Sequence, residues 1–97
     1  MVVVARTRQR DHLLRGRGTL MASCLAAGLP VASACSGRGA CGRCVVTVLQ
    51  GGAALAPAAV HERSVLEKNG HGPAQRLSCQ CRMPGPDAEL TITTGYW

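Results

Sequence analysis

Residues 35–44 read CSGRGACGRC. Cys35, Cys41 and Cys44 stand in C-x5-C-x2-C spacing; after 34 further residues comes Cys79 in RLSCQC, with Cys81 two positions on. Three thiols on one short loop and a fourth from a distant strand end match a 2Fe–2S site. There each iron takes tetrahedral sulfur from two thiolates and two bridging sulfides. A four-thiolate zinc site from Cys41, Cys44, Cys79 and Cys81 is a competing use of the same residues. It leaves Cys35 and the stretch before Cys41 without a role.

The glycines between the thiols favour the first use. An oxidised 2Fe–2S centre carries about −2 with its thiolates, and reduction makes it about −3. Backbone N–H groups aimed at the sulfurs stabilise that charge. A loop that turns several amides inward needs positive φ and close backbone approach, which glycine permits. Gly37, Gly39 and Gly42, with the small Ala40 beside them, are the candidates. Arg38 and Arg43 lie in the same stretch, as solvated groups or as cations that guide an acidic partner. Cys24 falls on an apolar helix stripe and reads as core. Cys81, if residues 79–81 are extended, points the same way as Cys79; it reads as a small core residue near the site.

These groups need elements to hold them. Val2 to Thr7 is rich in β-branched residues and predicts a strand, with Arg6, Arg8 and Arg10 on one face at period two. His12 to Arg15 predicts the return strand of a hairpin. Thr19 is placed to cap a helix over 20–27, ended by Gly28 and Pro30. Val45 to Leu49 predicts a strand, residues 53–60 a loop, and His61 to Lys68 a second helix stopped by Asn69-Gly70. Arg76 to Met83 and Glu89 to Thr93 predict the last strands. The order β-β-α-loop-β-α-β-β describes an α+β fold with a small mixed sheet.

Composition narrows the function classes. Ninety-seven residues suit one domain, taken as 1–97. The opening residues put apolar groups before arginines, the reverse of a secretory signal, and no stretch is long and apolar enough to span a membrane. The expected setting is therefore cytoplasmic and reducing, where clustered cysteines bind metal or do redox chemistry more often than they pair as a disulfide scaffold. The net charge is +6, with ten of eleven basic residues arginine. Such a balance suits acidic partners. Nucleic acid is not among the expected ones, because Tyr96 and Trp97 are the only aromatics and stacking platforms are lacking. With Phe absent, the core is expected to be mostly Val, Leu, Ala and Met, with Ile92. His12, His61 and His71 have no ligand-like spacing to the cysteines.

CSGRGACGRCVVTVLQGG followed by LSCQCRM resembles the 2Fe–2S ferredoxins of the β-grasp fold. The helix stretch GTLMASCLAAGLPV and the Glu-bearing HERSVLEKNG fit as well, and the similarity covers roughly residues 2–94. The resemblance implies a ubiquitin-like mixed sheet with one main helix packed across it and a cluster-binding loop. It implies one 2Fe–2S cluster held by Cys35, Cys41, Cys44 and Cys79. It also implies a soluble, monomeric one-electron carrier between a reductase and a redox acceptor, and no catalytic role of its own. A redox-sensitive module that binds and protects a redox enzyme is the alternative. The x5 gap is similar to the adrenodoxin-like and bacterial branch rather than the plant-type x4. Adrenodoxin-like proteins present acidic residues on the helix between the third and fourth cysteines. This chain offers Glu62 and Glu67 there against Arg63 and Lys68, so partners are expected to bring the acidic face themselves.

Overall fold

A computed structural model describes residues 2–31, 43–85, 87–95 and 97. The chain begins with a hairpin, β1 (Val2–Arg6) and β2 (Asp11–Leu14). In β1, Val3 and Ala5 are buried while Val2 and Arg6 are exposed, the alternation of a half-buried strand. Helix α1 (Leu20–Ala26) follows, then β3 (Val45–Gln50), α2 (Val60–Lys68), β4 (Gln75–Leu77) and β5 (Glu89–Thr93). The strands form one sheet in the order β2-β1-β5-β3-β4. β1 and β5 run parallel in its middle, and the other pairs are antiparallel. The fold is therefore the mixed-sheet α+β arrangement expected of the sequence.

Helix α1 starts where Thr19 caps it: the Thr19 hydroxyl accepts from the Ala22 N–H at 3.1 Å. It stops at Ala27, followed by Gly28 at φ 84, a left-handed position suited to glycine. Its inward face, Leu20 and Cys24, packs into the main core with Val3, Ala5, Leu14, Val46, Leu90 and Ile92. A second, smaller cluster gathers Cys44, Leu77 and Cys79 with Val65 and Leu66 of α2. Val31 packs against both.

Four expectations are corrected. The strand expected over 76–83 ends at Leu77, because the Gln80 N–H turns back to the Leu77 carbonyl at 3.0 Å. Arg8 and Arg10 do not share a strand face with Arg6. They lie in the turn beyond β1, where the Thr7 hydroxyl bonds to the Arg10 carbonyl at 2.8 Å. Overlapping the start of the expected 53–60 loop, a 3-10 turn occupies Gly52–Ala54. It follows Gly51 at φ 82, where a Cβ would land on the Glu89 carbonyl oxygen. Finally, Met21 and Met83 only fringe the core expected to hold them and Trp97 is buried in it, while Cys24 and Cys81 take the core places expected of them.

Candidate metal centre

The pairing of β3 with β4 sets Val45 opposite Leu77. One residue further out, Cys44 and Ser78 come together. The Cys44 carbonyl accepts from the Ser78 N–H at 3.1 Å and from the Ser78 hydroxyl at 2.6 Å. The turn at 78–80 then swings Cys79 inward, and the Cys44 thiol donates to Cys79 Sγ at 3.2 Å. Both are buried, and both are free thiols. A tetrahedral centre with metal–sulfur bonds of about 2.3 Å separates two thiolates by about 3.8 Å. Cys44 and Cys79 are near that spacing and far beyond a disulfide length of about 2.05 Å. Two thiols 35 positions apart in sequence are thus placed to share one metal ion.

The segment bearing Cys79 is held from both sides. From α2, the Glu62 carboxylate accepts from the Leu77 N–H at 3.1 Å. It also accepts from Arg76, at 2.8 Å from Nε and 3.1 Å from Nη2. From α1, the Met21 N–H donates to the Ser78 carbonyl at 3.1 Å and the Leu20 N–H to the Cys81 carbonyl at 2.8 Å. The Gln80 side-chain amide lies 3.6 Å from Cys79 Sγ, an N–H donor aimed at sulfur. Met21, Val31, Val45, Val65 and Leu66 close an apolar wall around the thiols. Such a wall controls solvent access to a metal and, with N–H···S bonds, its potential.

Burial pushes the Cys44 thiol up to about 11, against the opposing pull of the Cys79 backbone N–H. Without metal this thiol is protonated at neutral pH, so loading metal displaces a proton.

Cys81 does not join Cys79. The turn sends the two side chains to different clusters, Cys79 to the thiol cluster and Cys81 into the main core at 2% exposed. The shared direction expected from an extended 79–81 is lost with the strand. Burial pushes Cys81 to about 12, with Arg76 pulling it back. Cys24 is fully buried in the same core. Cys35, Gly37, Arg38, Gly39, Ala40, Cys41 and Gly42 lie outside the described residues.

The match that decides the family spans residues 7–84, to the 2Fe–2S iron–sulfur cluster binding domain. The chain belongs to this family. Its cofactor is one 2Fe–2S cluster, and the paired thiols, N–H donors and apolar wall fit such a group. The chain is 42% identical over 59 residues to 2Fe–2S ferredoxin-5 of Aquifex aeolicus, covering 60% of this chain and 62% of that protein. It is 41% identical over 69 residues to one subunit of the Na(+)-translocating NADH-quinone reductase of Pasteurella multocida, covering 71% of this chain and 16% of that one. It therefore spans less than two thirds of the length of these relatives. The crystal structure of Trichomonas vaginalis ferredoxin superposes with a TM-score of 0.79 at 25% identity, covering 97% of this chain and all of that one. Together these place the fold among the β-grasp ferredoxins.

Sequence reasoning missed three contributors. Ser78, which ties Cys44 to the fourth-cysteine segment, carries no spacing signal. Gln80 stands next to Cys79 but its sulfur contact depends on the turn. Glu62 was legible in principle: with Val65 and Leu66 it falls at i, i+3 and i+4, on the apolar face of α2. It is 2% exposed, so it is absent from the helix surface that an acidic docking face would occupy.

Proposed function

We propose that this protein is a one-electron carrier in which Cys35, Cys41, Cys44 and Cys79 hold the cluster, with the amides near Gly37, Gly39, Ala40 and Gly42 turned toward its sulfurs. The single observation behind this reading is the convergence of Cys44 and Cys79 at 3.2 Å from separate strands. The bound cluster supplies the one-electron chemistry. The chain's own residues hold the thiol pair, exclude water from it and present a docking surface. Residues 1–97 act as one domain and as a monomer, and the described strands all joining one sheet supports the first of these.

The protein takes an electron from a reductase and passes it to a redox acceptor, and is not itself an enzyme. The matching stretch within a component of a quinone reductase supports use in an electron-transfer chain. Both partners meet it through acidic faces. On α2, Arg63, Glu67 and Lys68 are exposed while Glu62 is spent internally. Arg17 and Arg82, both exposed, flank the junction where Gly18–Thr19 meets Arg82–Met83, two residues beyond the segment that carries Cys79. A reducing, cytoplasmic setting suits the four free thiols described. No helix among the described residues is long and apolar enough to cross a membrane.

The test is anaerobic purification with visible absorption, iron and acid-labile sulfide assays on the wild type and on single Cys→Ser variants. The reading expects two irons and two sulfides per chain, lost on change of Cys35, Cys41, Cys44 or Cys79 and kept in Cys24→Ser. Equal loss in all five variants overturns the ligand assignment. A colourless chain containing zinc overturns the carrier.

A further inference from the structure

Trp97 is 8% exposed and packs in the main core beside Leu29. Its indole Nε1–H donates to the Pro30 carbonyl at 2.7 Å, across 67 positions of sequence. The indole is itself anchored. Strand β5 lies in the middle of the sheet, and just past it the Trp97 N–H closes a turn onto the Thr94 carbonyl at 3.3 Å. On the other side, α1 ends at Gly28, and the Leu29 N–H returns to the Cys24 carbonyl at 3.0 Å. Beyond that bond, the Trp97 indole N–H holds the Pro30 carbonyl. Val31 comes next, and its side chain packs against both the main core and the Cys44–Cys79 cluster. The chain then enters the cysteine-rich stretch, with Cys35 five residues after Pro30.

We propose that Trp97 is a positioning residue for the cluster: its indole bond to Pro30 fixes the point from which the chain sets out to deliver Cys35. The proposal rests on the reading of Cys35 as a ligand. A planar aromatic suits the task, because it loses little side-chain entropy on ordering and brings both apolar area and one directed donor. A core residue that only filled space would need no N–H. A buried indole N–H with a single carbonyl partner makes removal of either one costly. The coupling also runs in reverse. If the tether favours the bound cluster, the bound cluster favours the tether by the same factor.

Two measurements on the cluster-loaded protein test this. Trp97→Phe keeps most of the apolar bulk and deletes the donor. Its cluster release to an iron chelator under native conditions is expected to be about fivefold faster, the factor for one lost hydrogen bond. Its visible circular dichroism and midpoint potential are expected to move from the wild-type values. Leu14→Val, a core change on β2, serves as a stability control, compared at a temperature offset that matches the two unfolding midpoints. It is expected to leave release, spectrum and potential unchanged. The second measurement needs no variant: hydrogen exchange of the single indole N–H should quicken by a similar factor when the cluster is removed from the wild type. Wild-type release and spectrum in Trp97→Phe, an equal effect from Leu14→Val, or indole exchange indifferent to the cluster would each overturn the proposal while leaving the ligand reading intact. Retention of the cluster by Cys35→Ser would instead overturn the ligand reading, and this proposal with it.

Discussion

The Glu62 carboxylate grips the Arg76 guanidinium at two points, 2.8 Å from Nε and 3.1 Å from Nη2, and the oxygen facing Nε also accepts the Leu77 N–H. This pair clamps α2 onto β4 two residues before Cys79. It is no surface ion pair: the Glu62 side chain is 3% exposed and that of Arg76 15%. The carboxylate's hydrogen bonds hold the Arg76 guanidinium above its usual range. Removing one partner of such a pair strands the other, at a cost of several kcal/mol. Glu62→Gln should lower unfolding stability by about 2 kcal/mol, since the amide oxygen still serves one donor. Glu62→Ala should lower it by about 3–4 kcal/mol, because the Leu77 N–H is orphaned as well. Denaturant unfolding of both variants checks this. A Glu62→Ala protein within about 0.5 kcal/mol of wild type, as for an exposed pair, would show that the clamp carries no weight.

Ser78 links the two halves of the thiol pair through the Cys44 carbonyl, which accepts both its N–H and its hydroxyl. Ser78→Ala removes the hydroxyl and leaves the backbone bond. The expected loss is about 1 kcal/mol of stability, with faster cluster release, because the Cys44 and Cys79 segments are then joined by one bond fewer. The chelator assay and denaturant unfolding together decide it. Lost stability with unaltered release would confine Ser78 to the fold.

Most of the element order could be read before the structure, because it rests on local chemistry. Thr19 caps, Gly28 and Gly70 stop helices, and the Val-rich runs make strands. The errors come where a long-range contact overrides local propensity. The apolar run after Arg76 reads as strand, yet Ser78 is tied to Cys44 and α1, and the chain turns. That turn breaks the period-two parity that would put Cys79 and Cys81 on one side. Glu62 reads as surface by residue type, and only its spacing to Val65 and Leu66 betrays it. Trp97 reads as one of two aromatics at the end of the sequence; nothing local points to Pro30. At the site, the sequence identifies the thiols but not what holds them, because the clamp, the Ser78 tie and the indole bond join residues far apart in sequence.

Cys24 and Cys81 should make the protein sensitive to alkali. Burial pushes each thiol from 9.0 to about 12. The folded state therefore keeps protons that the unfolded chain gives up above its lower value. The stability tied to these protons is fully present below pH 9.0 and is lost as pH rises toward 12. The thermal midpoint of the loaded protein should be flat up to about pH 8.5 and fall beyond. Cys24→Ala should fall less steeply, since one titrating group is gone. Parallel curves for variant and wild type across this window would rule Cys24 out as a contributor. On the proposed ligand set, Cys44 adds nothing to this window in the loaded protein, because a thiol bound to metal does not titrate in this way.

Arg17 and Arg82 flank the junction where the Met83 N–H bonds to the Gly18 carbonyl at 2.9 Å and Thr19 pairs with Arg82. Both are exposed, and the backbone beneath them continues into the Cys79 turn through the Leu20–Cys81 and Met21–Ser78 bonds. On the proposed docking, two cations so placed would raise the local concentration of an acidic surface near the thiol pair, an effect on association rate more than on final affinity. Arg17→Glu with Arg82→Glu should slow second-order reduction by a competent reductase about tenfold at low ionic strength. The gap should close as salt shortens the screening length to about 3 Å near 1 M. Stopped-flow reduction across a salt series separates this from damage to the centre, because the variant's cluster spectrum and potential should match wild type. Equal rates at low salt would place the docking surface elsewhere. A rate deficit that persists at high salt would mean that the substitutions disturb the Gly18–Met83 junction itself rather than the approach of the partner.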